Sequence, residues 1–198
     1  MSNDTTPSVV GYYEGVLDVY YAKMTVEDTA AAAPTYGTPA VLGKSINVTI
    51  TPQYREGSRY ASNHKVRNVR RVDSYEVSIT ADQIVAAVRR DILGRDADAK
   101  GVEKITGDQE APYVAIGFAI TKDNDTKEYW WLYKGKFGEM ETNQNTAGES
   151  IEYRDVALSG TFDRRIFDNA LAAVLDEEAS DADATVAAGW FSEVYETA

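Results

Sequence analysis

One histidine, His64, and no cysteine limit the chemistry open to this 198-residue chain. Thiol nucleophiles, disulfides and zinc–thiolate centres all need cysteine, so none is available. A catalytic or metal-bound imidazole works with partners at defined spacing. His64 has none near it in the sequence and reads as a polar loop residue. No Gly-x-Ser-x-Gly elbow and no glycine-rich phosphate cradle occurs. Carboxylates come in pairs at Asp96 and Asp98, Asp123 and Asp125, Glu177 and Glu178, and Asp181 and Asp183. DNDT and DADA alternate acids as calcium loops do, yet neither continues with the glycine and closing glutamate of an EF-hand. They read as turn and surface carboxylates. Paired carboxylates for glycoside hydrolysis are set in space rather than in sequence, so that option stays open. The expectation is no metal, no cofactor and no enzymatic activity.

Two other groups of residues invite a function. QYREGSRYASNHKVRNVRRVD (53–73) holds Arg55, Arg59, Lys65, Arg67, Arg70 and Arg71 against only Glu56 and Asp73. The chain as a whole has 32 Asp+Glu and 20 Lys+Arg, a net charge of −12. Tyr54 and Tyr60 lie among the arginines, which would suit single-stranded nucleic acid. Phosphate binding draws on counterion release by many basic groups, however, and the rest of the chain would repel it. A contact between copies fits better, with the basic segment of one on the acidic surface of another. The tract around Asp176, Glu177, Glu178, Asp181 and Asp183 is one candidate receiver. The second group is Tyr129, Trp130, Trp131 and Tyr133, which would serve either as sheet packing or as a platform for stacking a ligand. With bulky residues on both faces, this strand has one face free to cover a second surface, such as a neighbouring subunit.

The elements that must position these residues are mainly strands. GVLDVYYAKMT (15–25) is a first strand and EDTAAAAPTYGTP (27–39) a loop. In KSINVTITP, Ile46, Val48 and Ile50 alternate with Asn47, Thr49 and Thr51; in DSYEVSIT, Tyr75, Val77 and Ile79 alternate with Glu76, Ser78 and Thr80. The basic segment between them reads as a long loop. TADQIVAAVRRDILG predicts a helix over 81–93, with a capping box at Thr80 and Gln83 and a glycine stop at Gly94. Residues 94–111 form a polar connection. PYVAIGFAIT and EYWWLYKGKF flank a DNDT turn as a hairpin. SIEYRDVALSGTF puts Val156, Leu158 and Phe162 on one side and Asp155, Ser159 and Thr161 on the other. RRIFDNALAAVLDEEASDADA is expected to hold a short helix and a solvated acidic end, and the aromatic TVAAGWFSEVYETA closes the chain. The domain plan is a flexible tail over 1–10 and one domain over 11–198, ending in an acidic and aromatic segment over 176–198. A two-sheet β-sandwich flanked by one helix buries one face of each strand.

Composition agrees with a folded, membrane-free protein. Hydrophobic residues make up 43%, enough for a core. MSNDTTPSVV lacks a basic and apolar leader pattern, and no apolar run has the length of a membrane span.

The order of segments resembles the major tail protein, or tail tube protein, of long-tailed bacteriophages with non-contractile tails. The resemblance runs over about residues 12–196: VYYAKMT, then YGTPAVLGKSINVTITP, a long loop, SYEVSITADQIVAAVRRDILG, a polar insertion, the PYVAIGFAIT…YWWLYKGKF hairpin, TAGESIEYRDVALSGTF and a closing WFSEVY. The arginine-rich loop and the acidic 176–183 tract are less standard for that family. The resemblance implies a helix-flanked β-sandwich, mainly β in class, that self-assembles as hexameric rings stacked into a tube. It implies partners: further copies of itself, a tape-measure protein within, and tail terminator and baseplate or distal tail proteins at the ends. DNA would pass through the lumen without specific binding. It implies a place in the virion, with assembly in the host cytoplasm. It places residues 53–73 at the ring-to-ring contact. The wet-face residues Asn47, Thr49, Glu76, Ser78, Asp155, Ser159 and Thr161 become candidates for the lumen lining, where acidity would keep DNA from sticking. The alternatives are a β-sandwich binding module for carbohydrate or nucleic acid and a hydrolase assembled from distant carboxylates.

Overall fold

The computed structural model describes residues 11–61, 64–140 and 155–196. Among them run ten strands and two short helices. These are β1 (Tyr13–Val16), β2 (Val19–Val26), β3 (Thr35–Tyr36), β4 (Ala40–Gly43), β5 (Ser45–Ala61), β6 (His64–Ala81), α1 (Ala86–Leu93), β7 (Val114–Lys122), β8 (Lys127–Phe137), β9 (Val156–Asp163), β10 (Ala172–Asp176) and α2 (Ala184–Gly189). The chain is mainly β, as the alternating segments predict. No described helix is long and apolar enough to cross a membrane.

Every strand pairing is antiparallel. The hydrogen-bonded order is β3-β2-β7-β8-β9-β6-β5, with β1 on β7, β10 on β8 and β4 on β2. The layers therefore belong to one continuous sheet that curls around a shared core. β8 explains the curl. Its first half pairs with β10 through Glu128–Leu132, and its second half pairs with β9 through Lys134–Phe137. The sheet forks there, and β9, β6 and β5 turn over the β2–β7–β8 layer.

The central strands are apolar on both faces, so two cores form. Val114, Ile116 and Phe118 of β7 and Leu132 and Phe137 of β8 meet Val77, Ile79, Leu158 and Phe162 from the opposing layer, with Ile92 and Leu93 of α1. Ala115 and Ala119 with Tyr129, Trp131 and Tyr133 face the other way, and the C-terminal Ala187, Trp190 and Val194 cover them. Small residues on β7 make room for this second layer. An added Cβ at Gly117 would come within 2.8 Å of the Trp131 indole, so only glycine lets that ring lie across the strand.

Several boundaries differ from expectation for identifiable reasons. The basic 53–73 segment is a hairpin rather than a loop: β5 and β6 keep pairing from Ser45↔Ala81 to Ala61↔His64. The helix expected over 81–93 begins at Ala86, because Thr80 and Ala81 are held extended between β5 and β9. Its N-cap is Val85, with no side-chain cap, so the Thr80–Gln83 capping box does not form. The glycine stop holds: Gly94 is left-handed at φ 64 and its N–H bonds to the Arg90 carbonyl. The first strand divides into β1 and β2. The short helix expected after residue 164 is strand β10, whose N–H and C=O groups find partners on the open edge of β8. The expected flexible tail over 1–10 lies outside the described residues.

Because Trp190 is buried and holds the C-terminal segment on β8, Trp190→Ala should lower the unfolding free energy by about 3 kcal/mol. Urea denaturation followed by far-UV circular dichroism measures this.

Candidate functional site

Three surfaces carry the chemically distinctive residues. The first is the arm. β6 pairs with β9 only over Ser74–Ala81, so beyond Gln53 and Ser74 the β5–β6 hairpin leaves the sheet as a two-stranded ribbon. From Tyr54 to Ala61 it projects by about 26 Å at about 3.3 Å per residue. The register sets Arg55 opposite Arg71, like charges on one face of the ribbon, and position 59 opposite position 67. Like charges placed directly opposite destabilise a β ladder. The other face is quieter: Arg70 bonds to Glu56 at 3.1 Å and lies 3.7 Å over the Tyr54 ring. At the base, Asp73 accepts from Arg55 at 3.2 Å and lies 3.9 Å from Arg164. The register also places Lys65 opposite Tyr60 near the tip. An isolated two-stranded ribbon is marginal in water, and its edges are open to pairing.

The second surface is the outer face of β5, β6 and β9. Register puts Thr49, Ser78 and Ser159 in one row, and Thr51, Glu76, Thr161 and Lys136 in the next. Asn47 sits opposite Thr80 in the following row. All seven residues singled out by alternation are exposed: Asn47, Thr49, Glu76, Ser78, Asp155, Ser159 and Thr161. Six lie on the strands and Asp155 just precedes β9. Thr49, Glu76, Ser78, Ser159 and Thr161 line a shallow hydroxyl-rich groove together with Thr51 and Lys136, while Asn47 and Asp155 lie outside it. Lys136, at its margin, is neutralised by Glu110 and lies 4.2 Å from the Tyr113 ring centre.

The third surface is the acidic end, where the β7–β8 turn, the end of β10 and β1 meet. The tract at 176–183 is built into the fold rather than merely solvated. Lys122, 3% exposed, donates to Asp176 and Glu178, each at 2.7 Å. Glu177 accepts from the Lys127 N–H and the Tyr129 hydroxyl, and Asp183 caps α2 through the Thr185 N–H. Three successive residues of the N-terminal strand region also donate to carboxylates here. They are the Gly11 N–H to Glu178, the Tyr12 N–H to Asp123 and the Tyr13 hydroxyl to Glu128. Burial alone would push the Lys122 ammonium down, but its two carboxylates overcome this and hold its pKa above the usual range. The Lys122 bond, then the Gly11 N–H and Asn124, hold the Glu178 carboxyl down at about 2.

The Tyr129–Tyr133 stretch makes no stacking platform. Trp131 is fully buried, its indole N–H donating to the Trp190 carbonyl at 3.0 Å, and Tyr133 donates to the Tyr195 carbonyl. Trp130, on the opposite face, stacks on Phe118 and donates to Glu128. The second face covers the chain's own C-terminus.

Sequence reasoning missed two buried charge sites. Lys134 and Asp28 pair at 2.5 Å, with both side chains buried, and Asp28 also accepts from the Ile166 and Phe167 N–H groups. Arg165, 1% exposed, binds Asp168 and Glu196 and lies 3.9 Å over the Tyr133 ring. A charge inside an otherwise apolar strand, as in LYKGKF, was the one available signal. Both sites tie loops to the sheet. No group of three or more metal-ligating side chains occurs among the described residues.

No family model matches this chain. No curated protein matches it either. Among solved structures it is similar to a chain of the anti-feeding prophage cap, the tube terminating cap, at 9% identity and a TM-score of 0.44, covering 89% of this chain and 99% of that one. It is also similar to a chain of the anti-feeding prophage baseplate, at 9% identity and a TM-score of 0.39, covering 88% of this chain and 99% of that one.

Glu178 sets a pH dependence. Its folded pKa is about 2, against an ordinary value near 4.5. A depressed carboxyl contributes stability that is fully present above the ordinary value and is lost as pH falls towards the folded one. Wild type should therefore melt higher than Glu178→Gln at pH 6. The gap in Tm should shrink steadily from about pH 4.5 to pH 2.

Proposed function

We propose that the chain is a structural subunit that assembles with copies of itself into the tube of a phage tail or tail-like particle. In this reading hexameric rings stack around a tape-measure protein, terminator and baseplate proteins bound the tube, and DNA passes through. The subunit supplies surfaces rather than catalysis and takes no cofactor. The projecting arm carries the reading. A basic ribbon with Arg55 opposite Arg71, on a chain of net charge −12, has its natural complement in another copy of the same chain. A head-to-tail contact of that kind does not close on itself and generates a filament, whereas a ring removes sheet edges. The segment order described above supports the same assignment, and the arm then makes the ring-to-ring contact.

The hydroxyl-rich face of β5, β6 and β9 is the lumen lining in this proposal. The groove's lining is mostly neutral hydroxyls with the Glu76 carboxylate, and its cation, Lys136, is already matched by Glu110, which leaves phosphate little to pair with. DNA would slide over such a surface instead of binding it.

Two experiments test this. Negative-stain microscopy across a concentration and salt series should show rings or hollow tubes, weakening as salt rises and screening shortens to about 10 Å at 0.1 M. The Arg55→Glu, Arg71→Glu double variant should retain its circular dichroism spectrum and lose stacking; tubes of unchanged length would overturn the arm's role. For the lumen, particles carrying Glu76→Lys and Asp155→Lys should eject DNA more slowly, with the defect eased by added salt. Ejection at the wild-type rate would remove these residues from the lining.

A further inference from the structure

The buried residues described include the cations Lys122, Lys134 and Arg165, and Lys134 differs from the other two in its surroundings. Lys122 is held by Asp176 and Glu178, both partly exposed. Arg165 is held by Asp168 and Glu196, also partly exposed, and its guanidinium stays protonated and offers no nucleophilic lone pair. Of the three, only Lys134 has a partner as buried as itself: the side chains of Lys134 and Asp28 are 7% and 0% exposed. The Asp28 carboxyl is engaged at both oxygens. Oδ1 lies 2.5 Å from the Lys134 Nζ. Oδ2 accepts from the backbone N–H groups of Ile166 and Phe167, in the connection between β9 and β10. The Tyr113 ring stands on another side of the amine, its centre 4.6 Å from Nζ.

Two backbone N–H groups aimed at one oxygen are the arrangement that stabilises a developing oxyanion. A buried lysine is the matching nucleophile, because burial disfavours the charged forms of amine and carboxyl alike. We propose that Lys134 and Asp28 condense into an amide cross-link, which ties β8 to the segment after β2 across 106 residues of chain. One proton passes from Nζ to Oδ1 along their hydrogen bond, and the ion pair becomes a neutral amine and a carboxylic acid. The Nζ lone pair then adds to Cγ, and the charge that develops on Oδ2 is met by the Ile166 and Phe167 N–H groups. Nζ gives a second proton to Oδ1, the Cγ–Oδ1 bond breaks and Oδ1 leaves as water. Oδ2 remains as the amide carbonyl and Nζ keeps its third hydrogen. The pair thus supplies every atom and proton of the step. Holding amine and carboxyl together provides an effective concentration on the order of 10⁵ M, which favours a condensation that free solutes in water resist.

Intact-mass spectrometry of the purified full chain under denaturing conditions tests this. The wild type should weigh one water less than its sequence, and peptide mapping should recover Asp28 and Lys134 on one branched peptide. Lys134→Arg keeps the positive charge and cannot form the amide, so it should retain the full sequence mass, as should Asp28→Ala. The closed loop should also make the denatured wild type run faster on a gel than Lys134→Arg. The wild-type mass decides the matter even where a variant fails to fold. A wild type that keeps its full sequence mass after prolonged incubation at neutral pH would overturn the cross-link. So would a loss of water that mapping places at other residues, or one that Lys134→Arg retains.

Discussion

A strand pair that is apolar on both faces has to be covered twice, and β7–β8 imposes that condition on the whole molecule. One face carries Val114, Ile116, Phe118 and Leu132; the other carries Ala115, Ala119, Trp131 and Tyr133. The first is covered by the sheet itself, which curls at the fork on β8 and brings β6 and β9 across. The second is covered by the C-terminal Trp190 and Val194. Apolar burial at about 25 cal/mol per Å² makes both coverings favourable. Because the chain supplies both covers, these faces are not free for a partner.

Charge is distributed to match. The buried cations Lys122, Lys134 and Arg165 are each held by carboxylates, and each ties an irregular segment to the central strands. Removing one partner of such a pair strands the other in a poor solvent for ions, which is why these sites fix loop positions. The arm differs: it is exposed, Arg55 stands opposite Arg71, and the carboxylates that meet its arginines, Asp73 and Glu56, belong to the ribbon and its base. The buried pairs hold irregular segments to the sheet, whereas the arm's pairs lie in solvent.

Much was legible in the sequence because period-two alternation reports directly on a half-buried strand. The residues Val48 and Ile50, Val77 and Ile79, and Leu158 and Phe162 fell on the core side as the pattern required, and their polar alternates came together on one outer face, whereas Ile46, expected beside Val48, is exposed at the start of β5. Gly94 ended its helix where a left-handed residue was needed. The basic segment was visible as a charge run, but its conformation was not. Arginines and tyrosines at mixed spacing carry no periodicity, and the strand there is continued by pairing of the ribbon with itself.

What the sequence by itself determined was the mainly β class, the polar and apolar sides of β5, β6 and β9, and the concentration of positive charge between two strands. Each of these follows from local residue order. What only the tertiary structure decided was contact between distant positions: the C-terminal cover on Trp131, the use of Asp176 and Glu178 to neutralise Lys122, and the meeting of Asp28 with Lys134 across 106 residues. A carboxylate in a string of acids looks solvated until the chain folds a lysine beneath it. Its environment is a property of the three-dimensional packing, and sequence spacing carries no record of it.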